Sequence, residues 1–382
     1  MKKIAIIGAG ISGLFIANLF RENPDYSLTI YEKNSSINME EGYGIQLSIN
    51  SIKLLNQIGF DALNKNEIFN PEKIDFYESI QEKKICDLNI SEFNSENCKY
   101  TTLKRSKLVE FLKNRLEVNI IKYDHDIEKI EKNNNEITLT FNQNNKIKCD
   151  HLIISDGVFS KSKSLISHEQ IKPVYNNTIA IRGNISSSRI NNINKKNISL
   201  FMGHDFHYVI YPVNNKDEFN FIGILHYELS SEKLNNYYLF KEETFIQSIK
   251  DKLQNKITDT ILDNLTNIKY FPVFVSKNYL KPVGNIFLVG DAFFAFPPSF
   301  AQGASQSIEG GYELFNNIIN NKDNFYESRV SKVKMVNYRS KINQFAFHLS
   351  NPLIIFFRNI CLKILTKNKK FLENYLGKIY KN

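Results

Sequence analysis

Near the start of the chain a short apolar run, Lys3–Ile7, gives way to G8-A-G10-I-S-G13, and Ile11–Phe20 then shows apolar residues at helical spacing. Leu28–Tyr31 reads as a second strand, so the opening is strand, glycine-rich turn, helix, strand. Few folds satisfy that order. Gly8 permits the tight turn, Gly10 lets a pyrophosphate approach the main chain, and Gly13 lets the helix pack closely on the strand. Ser12 lies inside the same turn, and the N–H groups at the helix start favour an anion. Glu32 sits at the tip of the second strand, 19 residues after Gly13 and followed by Lys33, where a carboxylate accepts hydrogen bonds from a ribose diol. The same stretch superficially resembles a secretion signal. Its regular glycines and the lack of a small-residue cleavage site argue against that reading.

At 382 residues the chain is long enough for two or three structural units. Hydrophobic content of 42% and aromatic content of 13% mark a folded chain rather than a disordered one. The net charge of +9 comes from scattered lysines, not from a block, so no nucleic-acid partner is expected. A positive field attracts anionic cofactors or a membrane surface only weakly. Cys86, Cys98, Cys149 and Cys361 share no metal-type spacing and no CxxC, which points to buried free thiols in a reducing compartment. No apolar stretch reaches roughly 18 residues, so no membrane-spanning helix is expected and the placement is cytoplasmic.

Leu103–Leu116 has helical spacing, Ile137–Phe141 alternates as a strand, and His151–Ser155 is a buried strand ending on Asp156-Gly157. Residues 178–230 hold several strand-like runs without long helices between them, which suggests a mostly antiparallel second unit. Lys241–Leu265 reads as helix, Ile286–Gly290 as a buried strand, Ser305–Asn320 as helix, and the chain from Tyr326 onward as basic, amphipathic and helical.

Three separated motifs now carry a resemblance: GAGISG at 8–13 with Glu32, SDG at 155–157, and GDAFFAFPPSFAQGAS at 290–305. In this order they resemble the FAD-dependent aromatic hydroxylases, the single-component flavoprotein monooxygenases that include salicylate, hydroxybenzoate and urate hydroxylases. The resemblance implies an α/β fold: a Rossmann-type FAD-binding domain with an inserted, mostly antiparallel β-sheet substrate domain and a C-terminal helical segment. The expected division is 1–74, 100–172 and 276–325 for FAD, 75–99 and 173–275 for substrate, and 326–382 for the helical segment. It further implies FAD as cofactor, NADPH or NADH as transient electron donor, and dioxygen as the source of the oxygen that enters a small aromatic substrate. A monomer or a homodimer is expected.

Residue by residue, Asp291 after Gly290 faces the crevice at a strand's carboxyl end, where it fixes ribityl hydroxyls or serves as an ordinary turn aspartate. Ala301, Gln302, Gly303 and Ala304 bring small residues and a helix N-terminus to the flavin's pyrimidine edge, where the reduced ring carries negative charge. Pro298 fixes the turn before that helix and, by the resemblance, lines the oxygen-reacting space. Asp156 and Gly157 contact FAD or simply end a strand. Arg105 resembles the family's helix-borne arginine or is a solvated charge. Gly44 and Ile45 resemble the segment that passes the flavin, although Met39, Glu40 or Glu41 stands where an arginine is expected. Ile127 joins the cofactor set by the same resemblance. With no second G-x-G-x-x-G, the nicotinamide donor docks transiently.

His207, Val209 and Tyr211 share one strand face, and the H-x-x-x-Y-P spacing resembles the family's substrate wall. A histidine there removes a phenolic proton near neutral pH, or it is merely a core residue. Arg182 in AIRGNI binds a substrate carboxylate or pairs with an acid. Gln302 is expected to touch substrate as well as shape its turn. Phe293 and Phe294 stand in the usual GDAAH motif and are expected to make the pocket wall apolar.

The leading reading is a hydroxylase of a phenolic or carboxylated aromatic. Alternatives are a quinone-pathway hydroxylase resting on the inner membrane through FFRNICLKILTKNKKF, a reductase or dehydrogenase without oxygenation, and a non-catalytic flavin sensor. The absence of tryptophan argues against a flavin halogenase.

Overall fold

The computed structural model describes residues 1–37, 39, 43–133, 136–167, 171–190, 193–236 and 238–381. The opening unit is β1 (Lys2–Ile7), α1 (Ile11–Phe20) and β2 (Tyr26–Tyr31), followed by β3 (Gly44–Leu47), α2 (Ile49–Asn56) and β4 (Ile68–Phe69). The hairpin β5 (Lys73–Glu78) and β6 (Lys84–Asn89) leads to β7 (Thr101–Lys104), α3 (Arg105–Asn114) and β8 (Ile121–Lys122). An antiparallel meander, β9 (Ile127–Asn133), β10 (Glu136–Phe141) and β11 (Lys146–Cys149), runs into β12 (His151–Ile154) and α4 (Lys161–Ser167). Then come β13 (Val174–Ser186), β14 (Ile198–Gly203), β15 (Phe206–Pro212), β16 (Glu218–His226), the short α5 (Ser231–Asn235), α6 (Glu243–Leu253), α7 (Asp259–Leu262) and β17 (Thr266–Val275). The last part holds β18 (Ile286–Leu288), α8 (Gly290–Phe293), α9 (Gly303–Ile319), α10 (Phe325–Phe347) and α11 (Pro352–Leu365), then short helical turns to Tyr380.

Five strands lie parallel in the order β18-β12-β1-β2-β8, with Ile6 opposite both Ile153 and Ile30. Their near-continuous apolar runs are what a sheet covered on both faces requires. Strand order reverses at β1, so a crevice opens beyond the carboxyl ends of β1 and β12. Helix α1 is apolar nearly all round because it is enclosed: Leu14, Phe15, Ile16, Ala17 and Phe20 are fully buried with residues of α3 and α9. Each such large side chain contributes about 1.5–3 kcal/mol by leaving water. The polar exception, Asn18, is satisfied by the carbonyls of Leu14 and Leu112 at 2.9 and 2.8 Å.

The second large sheet has the order β17-β13-β16-β15-β14-β5-β6 and is antiparallel except where β14 meets β5. Alternation along its strands gives it two different faces. Ile179, Ile181, Tyr208 and Phe221 pack with Phe245 and Ile249 of α6 on one side. The other side carries Arg182, His207, Val209 and Tyr211, as cross-strand register shows: Arg182 and Val209 both oppose Ile222, and Tyr211 opposes Asn220.

Local chemistry corrects several expectations. Lys241–Leu265 is broken, because Gln254 leaves the helix and Asn255 takes φ +61°, a left-handed value that asparagine tolerates. The strand expected over Ile286–Gly290 stops at Leu288: Gly290 adopts φ +59° and starts the turn α8, with Ser12 packed where a Cβ would stand. Helix α9 begins at Gly303, two residues earlier than expected. Of the four cysteines only Cys149 is buried, and burial pushes its thiol up to about 12; Cys361 is exposed on α11.

Candidate functional site

Everything at the crevice hangs from strand ends. Gly13 packs so close to β1 that a Cβ there would run into the Gly8 carbonyl and lie 2.7 Å from Ser155 Oγ. Ser155 Oγ itself donates to the Ile7 and Gly8 carbonyls at 2.8 and 3.0 Å, tying β12 to the turn. Helix α1 then starts at Gly10 with no side-chain cap and no acid in its first turn. A Cβ added at Gly10 would meet nothing within 4 Å, so the uncapped N–H groups face open space. Glu32 Oε2 accepts from Ala9 N at 2.9 Å, and Oε1 accepts from the main-chain and side-chain nitrogens of Asn34. A carboxylate offers about four lone-pair sites, so roughly one remains for a ligand hydroxyl. Lys33 beside it is exposed.

The ends of β12 and β18 bring acids from distant parts of the chain into one electrostatic group. Asp291 is accessible from the crevice yet crowded by protein, and that crowding pushes its carboxyl up against the opposing pull of Lys163 and Arg105. Lys163 on α4 is 4% exposed; burial pushes its ammonium down, while Asp156 and Asp291 pull the other way. Asp156 Oδ2 accepts from Ser162 N at 3.2 Å, whereas its buried Oδ1 has no partner among the described residues. Gly157 follows with φ +83°. Arg105 is the first residue of α3, and its N–H donates to the Tyr43 carbonyl at 2.8 Å, which sets it beside β3. Gly44 and Ile45 in β3 pair with Lys104 and Leu103 of β7, and Gly44 N donates to Asn220 Oδ1 at 2.6 Å. Met39 packs on the apolar core near by, and Glu40 and Glu41 lie outside the described residues. Ile127 is 3% exposed, with its side chain in the core beneath the meander.

Across the crevice, Pro298–Phe300 forms one 3₁₀ turn and Ala301 follows at φ +51°, a conformation that costs a residue with a Cβ about 1–2 kcal/mol. Helix α10 holds that turn. Ser340 Oγ donates to the Pro297 carbonyl, Asn343 Nδ2 donates to the Ser299 carbonyl at 3.2 Å, and Tyr375 OH donates to Asn343 Oδ1 at 2.6 Å. Helix α9 then begins without a side-chain cap, and a Cβ on Gly303 would again meet nothing within 4 Å. Ala304 packs beside the core, and Ser305 Oγ accepts from Ser48 N at 3.0 Å, fixing the helix start to α2. Gln302 is 1% exposed and its side chain bonds Ser48 and Gln306, which holds the amide at the start of α9. Beneath it the buried Glu309 meets Lys332 at 3.1 Å, Arg329 at 3.5 Å, Gln306 and Asn50.

Phe293 and Phe294 are redirected. Phe294 stacks on Tyr279 at 4.3 Å and Phe293 packs against Phe325 and Tyr326, so both belong to the core behind β18. Phe296 and Phe300 are the aromatic residues of this segment that join Val209, Tyr211 and Ile222 in one apolar cluster.

On the sheet face, the Arg182 guanidinium lies 5.6 Å over the Tyr43 ring and makes no ion pair or hydrogen bond among the described residues. Burial pushes the Tyr211 hydroxyl up, partly offset by Arg182 and Gln46, and Tyr100 OH donates to Gln46 Oε1 at 2.8 Å. Asn220 is fully buried and its Nδ2 lacks a partner among the described residues. His207 is 2% exposed, with Nδ1 2.7 Å from Nε2 of His348. Burial, then His348, hold His207 well below the usual imidazole range. Burial likewise lowers His348 to about 4, opposed by Asp205 and reinforced by His226 and Lys256. Sequence reasoning missed Lys163, Gln46, Asn220 and His348. Lys163 sits in a K-S-K run that reads as surface charge, and His348 lies 141 positions from its partner.

Residues 1–322 match the family model described as FAD binding domain. The chain is 22% identical over 331 residues to 6-hydroxynicotinate 3-monooxygenase of Pseudomonas fluorescens, covering 82% of this chain and 81% of that one. It is 21% identical over 345 residues to salicylate hydroxylase of Pseudomonas putida, covering 82% and 75%. Its fold matches the crystal structure of HpxO from Klebsiella pneumoniae complexed with FAD and uric acid, with a TM-score of 0.83 at 14% identity, covering 99% of this chain and 96% of that one.

Proposed function

The chain belongs to the FAD binding domain family and is an FAD-dependent monooxygenase, and from that premise we propose that it uses NADH or NADPH to hydroxylate an anionic aromatic, phenolic or carboxylated. The observation that carries the reading is a cation facing an apolar wall. Among the described residues Arg182 has no anionic partner, and it shares its sheet face with Val209 and Tyr211, which cluster with Phe296 and Phe300. Phenolic and carboxylated rings match that combination, because a flat apolar body fills the cluster while a negative oxygen meets the guanidinium.

The described residues fit FAD. Two uncapped helix starts, at Gly10 and Gly303, face open space, and Asp156 Oδ1 is a buried acceptor without a donor among the described residues. Gly8, Gly10 and Gly13 with the α1 N-terminus are assigned to the pyrophosphate, Glu32 to the ribose, and Asp291 to the ribityl hydroxyls. Arg105, Lys163 and Asp156 complete that side, with Gly44 and Ile45 passing the ring and Gly303 and Ala304 at its anionic edge. When bound, FAD would supply the two-electron chemistry between the nicotinamide donor and dioxygen by which one oxygen atom enters the ring and the other leaves as water.

The protein's own part is to orient the ring, exclude water and move one proton. A neutral His207 accepts a phenolic proton, since its depressed pKa leaves it unprotonated at neutral pH. The same depression prevents it from keeping that proton. The 2.7 Å contact joins His207 to His348, which Asp205, with its side chain 46% exposed, favours as a cation and His226 and Lys256 oppose, so the pair links the buried strand face to the surface without itself storing charge. Pro298 and its clamped turn keep the opposite wall rigid.

The experiment is NAD(P)H oxidation by the FAD-loaded protein across phenols with and without a ring carboxylate. Carboxylated phenols are expected to stimulate most, and Arg182→Met to raise their KM at least tenfold, about 1.4 kcal/mol, while leaving uncharged phenols unchanged. Equal losses for both classes would remove Arg182 from carboxylate recognition.

A further inference from the structure

Helix α11 turns its apolar face outward. At 100° per residue, Phe356, Ile360, Leu353, Ile364, Phe357 and Ile354 follow one another around a single arc of roughly 160° that no charged residue interrupts. Leu353, Phe356, Phe357 and Ile364 are 65%, 58%, 57% and 60% exposed. The opposite face attaches the helix to the body: Arg358 is 8% exposed, and its Nη1 donates to the Ala346 carbonyl at 3.1 Å. A helix on a globular surface normally buries its apolar side, so this inversion calls for a partner. Tyr338, Ile342 and Phe345, exposed at i, i+4 and i+7 spacing, run along α10 toward the turn that starts α11.

Charge identifies the partner. Residues 351–382 hold seven Lys and Arg and one acid, Glu373, which pairs with Lys381 at 2.8 Å. Lys363, Lys367, Lys369 and Lys370 are exposed at the carboxyl end of the apolar arc. Asp87 and Glu92 share a groove of about 520 Å³ with Lys363, Lys367 and Lys369 on the inner side of the helix. We propose that α11 is a docking surface for an anionic lipid bilayer, lying in the interface plane with its apolar arc among the acyl chains and its lysines against headgroup phosphates. With 14 residues the helix is about 21 Å long, shorter than a hydrocarbon core of about 30 Å. Among the described residues no helix is long and apolar enough to cross a membrane. A second copy of the chain fits less well, because the same segment on a partner offers one acid, Glu373, against seven Lys and Arg. The inference is independent of the hydroxylation reading: lipid binding is measured without substrate.

The test is co-sedimentation of the FAD-loaded full chain with vesicles of phosphatidylcholine alone or mixed with phosphatidylglycerol. Binding is expected to the mixed vesicles, at least tenfold weaker without phosphatidylglycerol or at high salt. Phe356→Ser with Phe357→Ser should weaken it at least tenfold with an unchanged melting temperature, since both rings already face solvent. Lys367→Glu with Lys370→Glu should remove the preference for phosphatidylglycerol. The proposal is overturned by no sedimentation with mixed vesicles, by undiminished binding of the double serine variant, or by a dimer in light scattering that the serine variant dissolves while vesicles bind nothing.

Discussion

His348 shows how much one side chain can be asked to do. Its imidazole is lowered to about 4 by burial, and the unfolded value is about 6.5, so as pH falls the unfolded chain takes up the proton first. Stability from this group is therefore complete above about pH 6.5 and is lost as pH falls toward about 4. Between pH 7 and 5 the loss amounts to about 1–2 kcal/mol. Replacing it, His348→Gln, should flatten that slope in thermal melts at the two pH values, and should also lower kcat on phenols more than it raises KM. A merely structural His348 would shift the melt and leave kcat alone. His207 was legible from its strand face and the H-x-x-x-Y-P spacing, whereas its partner arrives from the end of α10 and no spacing reports it.

At the scale of elements, α10 is the brace of the site. Its Ser340 and Asn343 hold the carbonyls of Pro297 and Ser299, and they restrain a turn that carries the left-handed Ala301. Removing both hydroxyl and amide, Ser340→Ala with Asn343→Ala, should cost about 1–3 kcal/mol in urea unfolding. A loosened wall also admits water, so more peroxide should be released per NAD(P)H consumed; tight coupling in the double variant would show that the turn needs no brace. The C-terminal helices were legible in the sequence as helices, through their apolar period, and the basic amphipathic run of α11 suggested a membrane surface, but the bracing by α10 was not legible. Bonds from α10 to the turn connect residues 43 or 44 positions apart, and no periodicity reports such a pair.

For the whole molecule, legibility follows the range of the interactions. The opening unit was readable because strand, glycine turn and helix are adjacent, and Gly13 meets Gly8 within one turn. The second sheet was readable from alternation in 178–230, since period two survives without knowledge of the partners. Phe293 and Phe294 were misplaced because hydrophobicity says that a ring is buried but not on which side of β18 it lies. Lys163 was missed because its burial depends on Asp156 and Asp291, which the fold alone brings to it.

The central claim is that these strand ends hold FAD so that oxygen from dioxygen enters an aromatic ring. The most direct measurement is mass spectrometry of the product formed from a responsive phenol, NAD(P)H and ¹⁸O₂. The account predicts one ¹⁸O atom per hydroxylated product and one dioxygen consumed per NAD(P)H; an unlabelled product, or turnover that continues without dioxygen, would contradict it.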